Sequence, residues 1–406
     1  MQNLIYIAAT FLLALSISLF AVPIIVRVTH ALKLLDKPNL RSATKIPVTT
    51  LGGIAIFLSF LFSSTFGLSR NALPEFIYIV AAVILMFFVG LKDDILTVSA
   101  TKKFIAQLVT ASIIIFLAKI RFTNLHGLFG IGEIGIIPGV ILSFIAVIGI
   151  INAFNLMDGI DGLAGGFSML AAGIFGSWFF ISGHYDYAII SVSLVGAIAG
   201  FFYFNVYGKV NKIFMGDTGS LLIGTIMSAI VIRFNEFNID QTLPFAVNSA
   251  PAVSFGILIY PLVDAMRVMT IRILQLKSPF TADKNHLHHR LLTLGYSHEK
   301  ATCTIIVANI LLLIPVFALR HLGIVSLMGF NVLVSGILFM IPAYFIHKRQ
   351  LINKNDPNQQ LLFPGSSFRY LKRIRLTTKV IRRRYASRAV NLRTFLQKFS
   401  TVDKNN

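Results

Sequence analysis

The sequence predicts an all-α polytopic membrane protein of about eleven transmembrane helices, with its N-terminus outside and its C-terminus cytoplasmic. Three observations predict it. Of the 406 residues 56% are apolar and only 13% are charged, where a soluble domain carries about 25% charged residues; mean hydropathy is +0.78. The charges leave eleven uncharged stretches of fifteen residues or more. Lysine and arginine are also shared very unequally between alternate loops. This composition excludes a disordered chain, a fibrous chain and an ordinary soluble enzyme.

The uncharged stretches are 1–26, 46–69, 76–91, 104–118, 134–157, 162–185, 187–208, 218–232, 241–263, 301–319 and 321–347. A hydrocarbon core about 30 Å thick needs about 20 apolar residues in a helix, and eight stretches reach or approach that. The stretches 76–91, 104–118 and 218–232 are shorter, but Lys119 and Arg233 can snorkel and lengthen their spans. The first stretch has neither a basic leader nor a small-residue cleavage site, so a retained helix is expected. An odd number of spans puts the termini on opposite sides. With the N-terminus outside, the inner side holds 31 Lys and Arg against 5, and 16 against 5 without the last 59 residues. Basic residues collect on the cytoplasmic side, which decides the orientation. Cys303 is the single cysteine and can form no intramolecular disulfide.

Acidic residues in such a chain are costly and mark function. Asp93, Asp94, Asp158, Asp161, Asp217, Asp264 and Asp283 all fall at inner helix ends or loops, whereas Glu75, Glu133, Asp186, Glu236 and Asp240 are scattered singly on the outer side. Four motifs stand out. Gly90-Leu91-Lys92-Asp93-Asp94, followed by Lys102-Lys103, places two repelling carboxylates side by side, a pair normally relieved by a cation or a raised pKa. Asn152, Asn155, Asp158 and Asp161 recur every three positions at the end of an apolar run. A helix cap accounts for one of them; Gly159 and Gly162 can break the helix and let all four converge. In Lys212–Ser220, Asp217 opens a span near a helix N-terminus, a place that favours anions. In Ser278–Arg290, His286, His288 and His289 lie with Lys284 and Arg290. Adjacent histidines suit zinc poorly, and the cluster suits a diphosphate better. Oxygen ligands beside an anionic substrate point to magnesium, with manganese as the alternative ion, and the whole to phosphoryl transfer.

Taken in this order, the motifs resemble the polyprenyl-phosphate N-acetylhexosamine-1-phosphate transferase family. The matching pieces are LGG at 51–53, KDD at 92–94, NAFNLMDGIDGLAGG at 152–166, KIFMGDTGSLLIG at 212–224 and SPFTADKNHLHHRL at 278–291. The HLHH sequence looks like the bacterial undecaprenyl-phosphate GlcNAc-1-phosphate transferase branch. The resemblance implies that a UDP-N-acetylhexosamine gives its sugar-1-phosphate to undecaprenyl phosphate and UMP leaves, at the cytoplasmic face of a bacterial inner membrane. Such a step would open a cell-surface polysaccharide pathway such as lipopolysaccharide O-antigen. It implies Asp217, with Asn155, as metal ligands. Asp93 and Asp94 would face the acceptor phosphate, and Asp158 and Asp161 the nucleotide. His286, His288, His289 and Arg290 would hold the diphosphate, while Lys103 neutralises phosphate charge. Two positions depart from the family pattern: Thr97 replaces a third acid, and Thr101 a further lysine. The alternatives are another UDP-HexNAc, UDP-MurNAc-pentapeptide, or, from a different class, a membrane transporter, which the inner-edge position of the acids disfavours.

Residues 1–347 are thus expected to be the transmembrane catalytic domain and 348–406 a basic cytoplasmic tail. The tail holds 15 basic and 2 acidic residues. From Phe368, apolar side chains recur at Leu371, Ile374, Ile381, Tyr385, Ala389, Leu392, Phe395 and Phe399, at mostly helical spacing. A basic amphipathic helix on anionic lipid headgroups is expected; nucleic acid is not expected as a partner, and a homodimer is a further expectation.

Overall fold

The structure is a computed structural model that describes residues 2–34, 48–68, 73–243, 245–276 and 285–355. The expected tail helix, Asp283 and Lys284 lie outside the described residues. In chain order the elements are α1 (Gln2–Ala31), α2 (Gly52–Leu68), α3 (Phe76–Leu96) and α4 (Ala100–Ser112), which continues in a π-helical turn Ile113–Leu117. A hairpin of β1 (Asn124–Leu128) and β2 (Ile131–Glu133) follows. Then come α5 (Ile136–Met157), α6 (Leu163–Ile181), α7 (Tyr185–Tyr207), α8 (Gly216–Phe237), α9 (Ala250–Ile257), α10 (Ile259–Leu274), α11 (Leu287–Thr293), α12 (His298–Ala318) and α13 (Ile324–Asn355). Two compact units divide the chain, Met1–Tyr344 and Phe345–Asn406.

The fold is that of an all-α polytopic membrane protein. Among the described residues nine helices are long and apolar enough to cross a membrane, and the α9–α10 pair, bent by 79°, makes ten. The remaining uncharged stretch is α2, apolar but 17 residues long. Charge spacing measured some helices short because charged residues sit within their end turns. Helix α3 takes in Lys92, Asp93 and Asp94, and α8 runs from Asp217 at one end to Arg233 near the other. Helix α8 is the central post: 83% of its apolar stretch is buried, against 28% for α1. It packs against α3 and α5, while α1, α2, α6 and α7 wrap one another beside it.

Two features differ from the expectation. The β1–β2 hairpin is antiparallel, with Leu128 opposite Ile131. Its two central residues, Phe129 and Gly130, both take positive φ, 55° and 79°, as the tight hairpin turns that match strand twist require. Phenylalanine there carries no turn signal. Nor do all the acids read as outer stand alone. Arg233 pairs with Glu75 at 2.7 Å, Tyr187 donates to Glu75 at 2.9 Å, and Thr123 donates to Glu236 through its backbone and hydroxyl. Burial of polar groups in an apolar bundle requires such partners.

Candidate active site

The site is built around the first turn of α8. A short parallel bridge joins Thr49 to Ile213, and the N–H groups of Gly52 and Gly53 donate to the carbonyls of Phe214 and Met215 at 2.9 and 3.0 Å. The start of α2 is thereby tied to the start of α8. Backbone meets backbone here: a Cβ on Gly53 would lie 2.2 Å from the Gly219 nitrogen, and one on Gly90 would lie 2.5 Å from Thr218 Cα. Glycine at these two places lets α2 and α3 close on α8.

That closure carries Asp94 onto the open N-terminus of α8. Its carboxylate accepts the N–H groups of Asp217 at 2.8 Å and Thr218 at 2.9 Å, and the Thr218 hydroxyl at 2.5 Å. The first N–H groups of a helix lack internal partners, and an anion there is favoured by the helix dipole. The anion at α8 is therefore Asp94, supplied by a neighbouring helix. Asp93 points elsewhere. It accepts the Val98 N–H and pairs with Lys103, whose ammonium also reaches Asp217 at 2.5 Å. Asp217 also accepts from the Asn155 amide at 2.7 Å, and that amide donates to Ser220 at 2.9 Å. The structure brings Asp93, Lys103, Asn155 and Asp217 into one cluster, with Asp94 directly behind it.

Helix α5 ends at Met157, and Gly162 at φ +77° begins the turn into α6. The intervening residues curl under the cluster. Asn205 staples this loop: it accepts the Gly162 N–H at 2.8 Å and donates to the Ile213 carbonyl at 2.8 Å. Asp161 pairs with Lys212 at 2.8 Å and lies 3.5 Å from His298, and its carbonyl accepts from Thr302. Burial alone would raise the Asp161 pKa; the His298 and Lys212 hydrogen bonds outweigh it and hold the carboxyl below its ordinary value. Asp158 is the reverse case. Burial, then the like charges of Asp217, Asp94 and Asp161, push it up to about 8, opposed by a backbone hydrogen bond from Gly216.

The histidine segment reaches this loop from the other side. His288 is 1% exposed, and its ring fills the space where a Cβ on Gly159 would sit, with Nε2 2.3 Å from that position. Burial, and then neighbouring His289, pull its pKa down to about 3, so the ring is neutral. His288 therefore offers no positive charge to a diphosphate. His286 is 5% exposed and bonds to Asp264 of α10 at 2.9 Å. His289 and Arg290 are half-buried. Sequence reasoning passed over Asn205, Asp264, Arg267 and His298 as site residues. A lone asparagine in the apolar run before Gly208 was the one signal for Asn205. Asp264 was visible only as one inner acid among several.

Helix ends gathering carboxylates, amides, a lysine and histidines at one end of an apolar bundle define a membrane enzyme with an interfacial polar centre. The glycosyl transferase family 4 profile matches residues 76–235, which span α3 to α8. The undecaprenyl-phosphate alpha-N-acetylglucosaminyl 1-phosphate transferase of Escherichia coli K12 is 30% identical over 289 residues, covering 70% of this chain and 76% of that protein. The Salmonella typhi protein of the same name is 32% identical over 290 residues, with the same coverage. The decaprenyl-phosphate N-acetylglucosaminephosphotransferase of Mycobacterium leprae is 29% identical over 318 residues, covering 72% of this chain and 79% of that protein. The chain belongs to this glycosyl transferase family, the polyprenyl-phosphate N-acetylhexosamine-1-phosphate transferases, and is a phosphoglycosyl transferase.

Proposed function

We propose that this protein transfers GlcNAc-1-phosphate from UDP-GlcNAc to undecaprenyl phosphate and releases UMP, at the cytoplasmic face of a bacterial inner membrane. The observation that carries the reading is the Asp93–Lys103–Asp217–Asn155 cluster at one end of the bundle, in a chain 30% identical to a transferase named for that lipid and sugar. A lipid phosphate and a water-soluble nucleotide sugar meet only at a membrane interface, and the cluster is formed by helix ends. The excess of basic residues in alternate loops favours the cytoplasmic side.

Magnesium fits the cluster, with manganese as the alternative. Asp217 and Asp93 offer carboxylate oxygens, as hard cations require, whereas Asn155 turns its amide N–H to Asp217 and Ser220 and would join them as a ligand through its Oδ1 once the amide is rotated. The Lys103 ammonium already bridges Asp93 and Asp217, so this pair is built to hold positive charge. The crowding of Asp158 by Asp217, Asp94 and Asp161 is the condition a divalent cation relieves. Asp217, Asn155 and Asp93 would hold the ion, which would neutralise phosphate charge during transfer.

The chain's own groups do the rest. Lys103 offsets charge where the two phosphates approach. Asp94 and Asn205 hold the α8 turn and the Asp158–Gly162 loop in place. His289 and Arg290 face the donor diphosphate, while His286 and His288 shape the wall behind them. The second pKa of a phosphate monoester lies near about 6, so the acceptor is largely dianionic at neutral pH and needs little help from a base. Its oxygen attacks the β-phosphorus, the bond from that phosphorus to the bridging oxygen breaks, and UMP departs with the electron pair. Residues 348–406, basic and outside the catalytic core, are proposed to lie on anionic headgroups.

Purified protein with undecaprenyl phosphate and a panel of UDP-sugars tests the reading. UMP should appear with UDP-GlcNAc and disappear in excess chelator. Absence of UMP with UDP-GlcNAc, when another donor is turned over, would reject the sugar assignment.

A further inference from the structure

Asp264 lies within α10 and is 4% exposed. Its oxygens accept from His286 Nδ1 at 2.9 Å, from the Leu287 N–H at 3.2 and 3.3 Å, and from Arg267 Nη2 at 2.6 Å. The same Arg267 nitrogen donates to the Asn285 carbonyl at 2.7 Å. One buried carboxylate thus holds the entry to α11, the first N–H of that helix, and one ring of the histidine segment. The ring of His286 lies parallel to that of His288, 5.7 Å away, and His288 continues to His289 at 4.3 Å.

We propose that Asp264 is a positioning residue for donor binding, acting through His286; this rests on the reading that the histidine segment faces the nucleotide-sugar diphosphate. A carboxylate on one imidazole nitrogen fixes the proton and the orientation of the ring, so that the other nitrogen points away from it. Here the proton is held at Nδ1 and Nε2 is turned away from α10. The Leu287 N–H would otherwise be an unmet donor at a helix start, and Asp264 meets it from a different element. Asp94 does the same for α8, so two of the helices that begin in the site, α8 and α11, are capped by carboxylates from other helices. Loss of the Asp264 charge frees the ring and the first turn of α11 together, and the row from His286 to His289 loses its registration.

The test is a double-mutant cycle in the purified full-length protein: wild type, Asp264→Asn, His286→Gln and both. UDP-GlcNAc affinity is measured by calorimetry, KM for both substrates by UMP release, and amide hydrogen exchange of 285–293 without ligand. Each single change should weaken donor binding roughly tenfold or more, from the loss of a hydrogen bond to a charged group. The double variant should be no worse than the weaker single, and KM for undecaprenyl phosphate should move by less than about twofold. Exchange at Leu287 should accelerate in Asp264→Asn. Losses that multiply in the double variant, or unchanged exchange at Leu287, overturn the proposal. If Asp264→Asn does not fold, Asp264→Glu takes its place in the same cycle with the same expectation, since a longer carboxylate displaces the ring. A wild type that binds no UDP-GlcNAc rejects the donor reading instead, and hydrogen exchange then decides whether Asp264 positions the segment.

Discussion

Gly159 and His288 are expected to be energetically coupled across two motifs more than 120 residues apart, and Gly159→Ala exposes the coupling. An alanine Cβ would lie 2.3 Å from His288 Nε2, 2.9 Å from Cε1 and 3.1 Å from Cδ2. Non-bonded heavy atoms settle at about 3.5–4.0 Å, so the overlap is roughly 1 Å. Gly159 is not among the residues at positive φ, so alanine meets no left-handed strain there and the loss in the folded state is one of space. His288 cannot swing away, being 1% exposed and flanked by His286 and His289. Either the Asp158–Asp161 loop or the histidine segment must move. Overpacking of this kind costs about 1–3 kcal/mol, and turnover should fall because both moving parts are in the site. His288→Ala removes the obstacle at the expense of a cavity. The double variant should therefore be more stable than the sum of the single losses by at least about 1 kcal/mol, a coupling expected of residues in contact. Unfolding in mixed micelles gives the stabilities and UMP release gives the rates. Wild-type behaviour of Gly159→Ala, or additivity within about 0.5 kcal/mol, would refute the reasoning.

Asp94→Ala leaves the N–H groups of Asp217 and Thr218 uncapped. It should cost about 2 kcal/mol of unfolding free energy and lower kcat more than either KM; unchanged stability would remove the capping role. Asp161 titrates below its ordinary value of 3.8 because of His298 and Lys212, so its contribution to stability is complete above that pH and is lost as pH falls below it. Lys212→Met should weaken this acid dependence in an unfolding series from pH 5 to about 2.5, and an unaltered slope would mean that the pair does not stabilise the fold. A peptide spanning 366–400 should be largely unfolded in buffer and become helical on anionic vesicles by circular dichroism, each basic residue near the surface adding roughly 1 kcal/mol. Truncation after Lys348 should leave the core active; loss of turnover in a folded truncation would place the tail in the catalytic machinery.

Sequence alone determined the membrane class and singled out the polar motifs that the fold brings together. An apolar segment long enough for a bilayer is a property of consecutive residues, so α1, α5, α7 and α13 were legible from charge spacing. The placement of Asp93, Asn155, Asp158, Asp161 and Asp217 at helix ends was legible for the same reason, since each flanks an apolar run. Short spans were mismeasured because Asp94 and Asp217 lie inside helices whose end turns face the site. The hairpin was not legible, because its turn relies on Phe129 in a conformation its neighbours impose. Which groups each carboxylate meets was decided only by tertiary structure. Asp93 and Asp94 are adjacent in sequence and chemically identical, yet one pairs with Lys103 and the other caps α8. The difference arises because α3 closes on α8 at Gly90, and successive helical side chains diverge by about 100°. The three histidines of the HLHH stretch likewise read alike. Packing against Gly159 made His288 a buried, neutral wall, and Asp264, 22 residues before it in the pair with His286, made His286 a held ring. Burial and partner geometry depend on which helices meet, and that is information no single stretch of the chain contains.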